Sequence, residues 1–187
     1  MKYFKKLVGD NIYLSPMNLE DAEKFTEWLN DFNITDYTEK SSILISLQSE
    51  KEWLENNVSK EGMFSIIRLE DDALVGTCCL NEIDHIKRTA TLGIFIGDND
   101  SRNKGYGTES IRLILDFGFN YLNLNNIMLR VMSFNERAIA CYKKCGFKEF
   151  GKRRQCNFVN GKYHDTMYME ILAEEFNDDY IRNKNIK

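Results

Sequence analysis

One stretch constrains the architecture of this chain more than any other: Arg102, Asn103, Lys104, Gly105, Tyr106, Gly107 and Thr108, set between a β-patterned run ending near Gly97 and a helix-patterned run. In the second run Ile111, Ile114, Leu115, Phe119 and Leu122 form one stripe, which predicts a helix over 106–122 with a single apolar face. A strand over 127–131 and a helix over 135–145 follow, the alternation of a parallel crossover. Upstream, β-patterned runs at 63–69, 74–81 and 90–97 are separated by the turn 70–72 and the loop 82–89, which predicts an antiparallel meander. Downstream, runs at 147–158 and 163–172 meet at Asn160 and Gly161, a pair suited to a hairpin turn. The expected class is mixed α/β (α+β), with a sheet that is antiparallel for most of its width.

The N-terminal part is less regular. Over 11–17, Ile12 and Leu14 alternate with polar neighbours up to Pro16, which predicts a short edge strand. Asn18 is suited to cap a helix whose apolar face is Ala22, Phe25 and Leu29, with Trp28 at the same spacing. A mixed polar and aromatic loop spans 31–46, and Ser49 is expected to open a second, acidic helix carrying Trp53 and Leu54. No linker or repeat divides the chain, so one domain over 1–176 is expected, with a polar, frayed tail over 177–187.

A hydrophobic content of 43% in 187 residues suffices for one core, while a formal net charge of −4 argues against a nucleic-acid partner. The opening residues are Lys-rich and no apolar run reaches membrane-spanning length, so no membrane partner and a cytoplasmic location are expected. An odd count of five cysteines predicts reduced thiols. Cys141 and Cys145 lie four apart, but His85 and His164 are the only histidines and no C-x-x-C accompanies them; buried, inert thiols and no metal are expected.

Two segments carry chemistry. In the first, glycines at 105 and 107 let backbone N–H groups turn toward one point, and the start of the following helix favours an anion there, with Arg102 and Lys104 adding charge. This segment matches neither the G-x-G-x-x-G dinucleotide loop nor the G-x-x-x-x-G-K-[ST] nucleotide loop. In the second, 135–147, Asn135 is suited to cap the helix and Gly146 to end it, and Asn135, Ala138 and Tyr142 share one face.

Together these segments resemble the coenzyme A motifs of the Gcn5-related N-acetyltransferases, in particular the branch of ribosomal-protein alanine and spermidine acetyltransferases. The first is similar to the [RQ]-x-x-G-x-[GA] pyrophosphate loop at Arg102, Gly105 and Gly107. The second is similar to the N-x-x-A-x-x-x-Y-x-K-x-G-F run at Asn135, Ala138, Tyr142, Lys144, Gly146 and Phe147. The resemblance extends over nearly the whole order of elements. It implies a single acetyltransferase domain with helices on both faces of the sheet, in which the strand at 92–97 splays from its parallel neighbour at 127–131. Acetyl-coenzyme A would bind along Arg102, Asn103, Lys104, Gly105, Tyr106, Gly107 and Thr108, with Asn135, Ala138 and Lys144 nearby. The pantetheine arm would pair with backbone around Ile94, Phe95 and Ile96, where one N–H would polarise the thioester carbonyl.

Tyr142 would be the acid that meets the departing thiolate, since a phenol of pKa about 10 holds its proton at neutral pH. Many relatives carry a strand glutamate as base; Thr91 stands in its place here, leaving Glu82, Asp84 and His85 as nearby substitutes, or an amine that arrives already deprotonated. Over 18–61, which covers the acceptor site in the family, eleven Asp and Glu stand against four Lys and Arg; over 135–154 seven basic residues stand against two acidic. This polarity suits a phosphate-bearing donor and a cationic acceptor. The expected activity is direct acetyl transfer to a primary amine, a small polyamine first. Protein N-termini, amino sugars and aminoglycosides are alternatives, as is a non-catalytic coenzyme-binding domain. Subunit number stays open between a monomer and a homodimer or higher homo-oligomer.

Overall fold

The structure, a computed structural model, describes residues 2–177 and 181. Its described residues build one eight-stranded sheet in the order β1-β2-β3-β4-β5-β6-β8-β7. The strands are β1 (Leu7–Val8), β2 (Ile12–Pro16), β3 (Met63–Arg68), β4 (Leu74–Asp84), β5 (Thr89–Ile96), β6 (Asn126–Met132), β7 (Lys148–Val159) and β8 (Lys162–Leu172). The helices are α1 (Ala22–Leu29), α2 (Phe32–Thr35), α3 (Leu47–Asn57), α4 (Tyr106–Asn120) and α5 (Glu136–Lys144).

Every neighbouring pair is antiparallel except β5 and β6, which run parallel. Their pairing runs only from Thr89 opposite Asn126 to Leu92 opposite Leu129. Beyond that point β5 stays with β4 as far as Ile96, and β6 stays with β8 as far as Met132, so the two strands part. This is the expected splay.

The faces of the sheet bury different helices because successive strand residues point opposite ways. Cys78, Leu92 and Ile94 belong with α4 and α5 in the larger core, whereas Cys79 and Phe95 pack with Phe25, Trp28 and Leu54 of α1 and α3. Gly97 ends β5 under the Trp28 ring, which leaves no room for a β-carbon: one would lie 2.1 Å from the indole. The hairpin at Asn160 and Gly161 has φ of 47° and 76°, as a two-residue turn of its kind requires.

Several details differ from expectation. The strand over 11–17 is not at the edge, because β1 pairs along its outer side; the Glu109 carboxylate of α4 holds the connecting turn by accepting from the amides of Asp10 and Asn11. The second helix begins at Leu47, not Ser49: Ser46 caps it, and Ser46 and Ser49 exchange hydrogen bonds in a capping box. The expected loop over 31–46 contains α2, capped by Asp31. Most of the tail over 177–187 lies outside the described residues, but Ile181 is buried and its amide donates to Asp116, so that position is not frayed.

Candidate active site

The parting of β5 and β6 opens a cavity of about 840 Å³ that reaches from the start of α4 to the helices on the opposite face. Its first wall is the loop into α4. Gly105 has φ of 85°, a left-handed conformation that glycine adopts without strain, and there it serves as the cap residue of α4. No side chain caps this helix. The N–H groups of its first turn therefore remain for a ligand, with the positive end of the helix dipole behind them. A β-carbon added at Gly107 would meet no protein atom within 4 Å; it would stand in the cavity itself.

Charge accumulates at this end. Arg102 and Arg137 both line the cavity. Burial, and then the charge of Arg137, lower the Arg102 pKa, and its buried Nε has no partner. Two guanidiniums lining one end of a cavity suit a ligand with more than one phosphate.

α5 forms the second wall. Asn135 accepts from the Ala138 amide at 3.2 Å, fixing the helix start, and Gly146 with φ of 97° ends it. The chain then turns back so that the Phe147 ring lies edge-on to Tyr142 at 6.0 Å. This packing holds Tyr142 at the cavity wall, 9% exposed. Burial pushes its phenol well above the ordinary tyrosine range, so it stays protonated across the physiological range. The next residue, Cys141, also lines the cavity, with its sulfur 3.2 Å from Thr108 Oγ1. It is partly buried where a buried thiol was expected; hydrogen bonding from Cys145 favours its thiolate and pulls its pKa down, and that of Cys145 rises in return.

Of the residues singled out in the sequence, Ile94, Phe95, Ile96, Arg102, Asn103, Gly105, Tyr106, Gly107, Thr108, Asn135, Ala138 and Tyr142 all line this one cavity. Lys104 and Lys144 do not; both are exposed outside its wall. Lys144 lies two residues past Tyr142, about 200° around the helix, and so faces away. Sequence reasoning missed Arg137, Arg130, Glu39 and Glu50, which line the cavity from elements far apart in the chain.

The three candidate bases differ in their hydrogen-bond partners, although Glu82 and His85 line the same smaller cavity next to the large one. Asp84 accepts from the amides of Ile86 and Lys87 and pairs with Lys87, which makes it a turn residue. His85 pairs with Glu61 at 2.9 Å on the surface. Glu82 is different. A register shift after Asn81 and a φ of 54° at Glu82 bring its carboxylate to Thr91, whose hydroxyl donates to it at 3.0 Å. A smaller adjoining cavity contains Glu82 and shares Thr91, Asn81 and Arg130 with the large one. Among the described residues, no group of His, Cys, Asp and Glu side chains converges as a metal site, and no helix is long and apolar enough to cross a membrane.

Comparison with known proteins agrees with this arrangement. Residues 11–148 match the model of the acetyltransferase (GNAT) domain. The uncharacterized N-acetyltransferase p20 of Bacillus licheniformis is 31% identical over 91% of this chain and 97% of its own length. A spermidine N(1)-acetyltransferase of Vibrio cholerae is 37% identical over a shorter stretch, 55% of this chain and 59% of that one. Among solved structures, a spermidine N-acetyltransferase from Vibrio cholerae in complex with CoA and spermine superposes with a TM-score of 0.82 at 28% identity, covering 90% of this chain and 99% of that one. The split sheet, the two glycine-bounded helices and the match over most of the chain have one explanation: this protein belongs to the acetyltransferase (GNAT) domain family and is an N-acetyltransferase.

Proposed function

We propose that this enzyme moves the acetyl group of acetyl-coenzyme A to a primary amine of a small polyamine, by direct attack within a ternary complex. The observation that carries this reading is the polarity of one continuous cavity. Arg102, Arg137 and the uncapped start of α4 stand at one end with no carboxylate lining beside them, while the two carboxylates of the lining, Glu39 and Glu50, lie away from it, Glu39 3.5 Å from Arg130 and Glu50 within reach of the Lys40 charge. A phosphate-bearing donor and a cationic acceptor fit these ends in only one orientation. The relatives that act on spermidine support the choice of acceptor.

In this reading the pyrophosphate rests on the amides of the 102–108 loop, and the basic residues of 135–154 receive the 3′-phosphate. The pantetheine arm fills the gap where β5 no longer pairs with β6, alongside Ile94, Phe95 and Ile96, and one strand N–H there polarises the thioester carbonyl. The amine nitrogen bonds to the carbonyl carbon, the C–S bond breaks, and the electron pair leaves with sulfur. Before the attack Glu82, held on Thr91, takes one proton from the arriving ammonium; as the C–S bond breaks Tyr142 gives its proton to the departing sulfur, and the second proton shed by the nitrogen as the amide forms returns through water to the phenolate. A buried phenol is a weaker acid than a thiol in water. The same apolar wall, however, raises the proton affinity of a thiolate formed against it, which keeps donor and acceptor matched.

Release of free thiol from acetyl-coenzyme A, measured against polyamines, aminoglycosides, amino sugars and N-terminal peptides, tests the acceptor. The expected result is a kcat/KM for spermidine or spermine well above that of every other class. A peptide or amino sugar ahead of all polyamines would overturn it.

A further inference from the structure

Four carboxylates are buried among the described residues: Asp21, Glu50, Glu109 and Asp116. Three have evident structural work. Asp21 takes the Tyr3 hydroxyl and the Lys2 ammonium, Glu109 holds the turn before β2, and Asp116 accepts from Asn120 and the Ile181 amide. The Glu50 carboxylate has neither a hydrogen bond nor a salt bridge, although the residue is only 5% exposed. It lines the cavity beside Met17, Phe25, Ile45 and Trp53, an apolar setting that pushes its carboxyl above the usual range. A buried carboxylate left without a partner is costly, and an arriving cation would remove that cost.

Two neighbours show which kind of cation fits. Trp53 lies three residues further along α3, on the same side of the helix as Glu50, and also lines the cavity. The Lys40 ammonium lies over the Trp53 ring, 5.9 Å from its centre, and its charge acts on Glu50 without touching it. An ammonium of the chain itself thus stands where an aromatic face and a carboxylate come together.

We propose that Glu50 and the face of Trp53 form a subsite for the second, non-reacting ammonium of a diamine or polyamine, with Lys40 holding that place until the substrate displaces it. This rests on the polyamine reading above and adds the residue that selects for a second positive charge. The subsite contributes to binding and not to the chemical step, so its loss is expected in KM.

Butane-1,4-diamine and butylamine, assayed with saturating acetyl-coenzyme A, separate the possibilities. The expected wild-type preference for the diamine is about tenfold or more in kcat/KM, the size of one well-placed charge and aromatic contact. Glu50→Gln, which keeps the side-chain volume, should abolish most of that preference through the diamine KM. Lys40→Gln should act in the opposite direction and lower the diamine KM, a reversal that disturbed packing would not produce. A Glu50→Gln enzyme with the wild-type preference overturns the subsite and leaves the polyamine reading intact. Equal wild-type use of both amines also overturns the subsite, while amine acetylation stands. Activity on neither amine overturns the acceptor reading and the subsite together. Should Glu50→Gln not fold, an unchanged or raised diamine KM in Lys40→Gln overturns the subsite by itself.

Discussion

The Thr91 hydroxyl holds the Glu82 carboxylate of the adjacent strand at 3.0 Å, and in the proposed mechanism that carboxylate takes the proton of the amine. The role of Glu82 has a pH signature. An alkyl amine with a pKa of about 10 arrives protonated at neutral pH, and each unit of pH toward that value raises its free-base fraction about tenfold. In Glu82→Gln only the free base can react, so kcat/KM should fall well below wild type at pH 7 and recover toward it as pH rises to about 9.5. A ratio of variant to wild type that stays constant across that range would remove Glu82 as proton acceptor. The placement of Asn135 and Tyr142 on one cavity wall was legible from the sequence, because a cap and a repeat of about two turns set it within one helix. Glu50 and Arg137 were not, because what distinguishes them is the company of residues distant in the chain. The partial exposure of Cys141 was not legible either, because the cavity it lines is built with residues distant in the chain.

The helix starts divide in a similar way. α4 and α5 were legible almost to the residue, since glycine and asparagine punctuate them. α3 starts earlier than expected because two serines three apart both fit a cap, and the reciprocal bonds between Ser46 and Ser49 settle the choice only in three dimensions. The splay of β5 from β6 has no local signal at all. Its residues remain β-patterned past Leu92, and only the resemblance to a family foretold it. Gly107 ties the α4 start to function. A β-carbon there would meet no protein atom within 4 Å, and the cost of valine as a helix residue is below that of glycine. Gly107→Val should therefore keep or slightly raise the thermal midpoint of the free protein while abolishing the stabilisation by acetyl-coenzyme A, about 2.7 kcal/mol at a hundredfold excess over Kd in the wild type. Thermal melts with and without the donor check both statements. Full stabilisation of the variant would mean that the donor does not approach this backbone.

At the scale of the whole molecule, the sheet carries one helical layer on each face. In the proposed function α4 and α5 supply the phosphate end and Tyr142, α3 and the segment before it supply Glu50 and Glu39, and the gap between β5 and β6 connects them. The central claim is that acetyl transfer occurs in this gap. The most direct test is turnover of Tyr142→Phe, which keeps the ring packed on Phe147 and removes only the proton. With acetyl-coenzyme A binding measured on the same sample, kcat should fall by about 10² to 10⁴ while donor affinity stays near wild type. The loss should shrink with an acyl donor whose leaving thiol is more acidic. Wild-type kcat in the variant, with the chemical step shown to limit the rate, would contradict the account and place the transfer elsewhere.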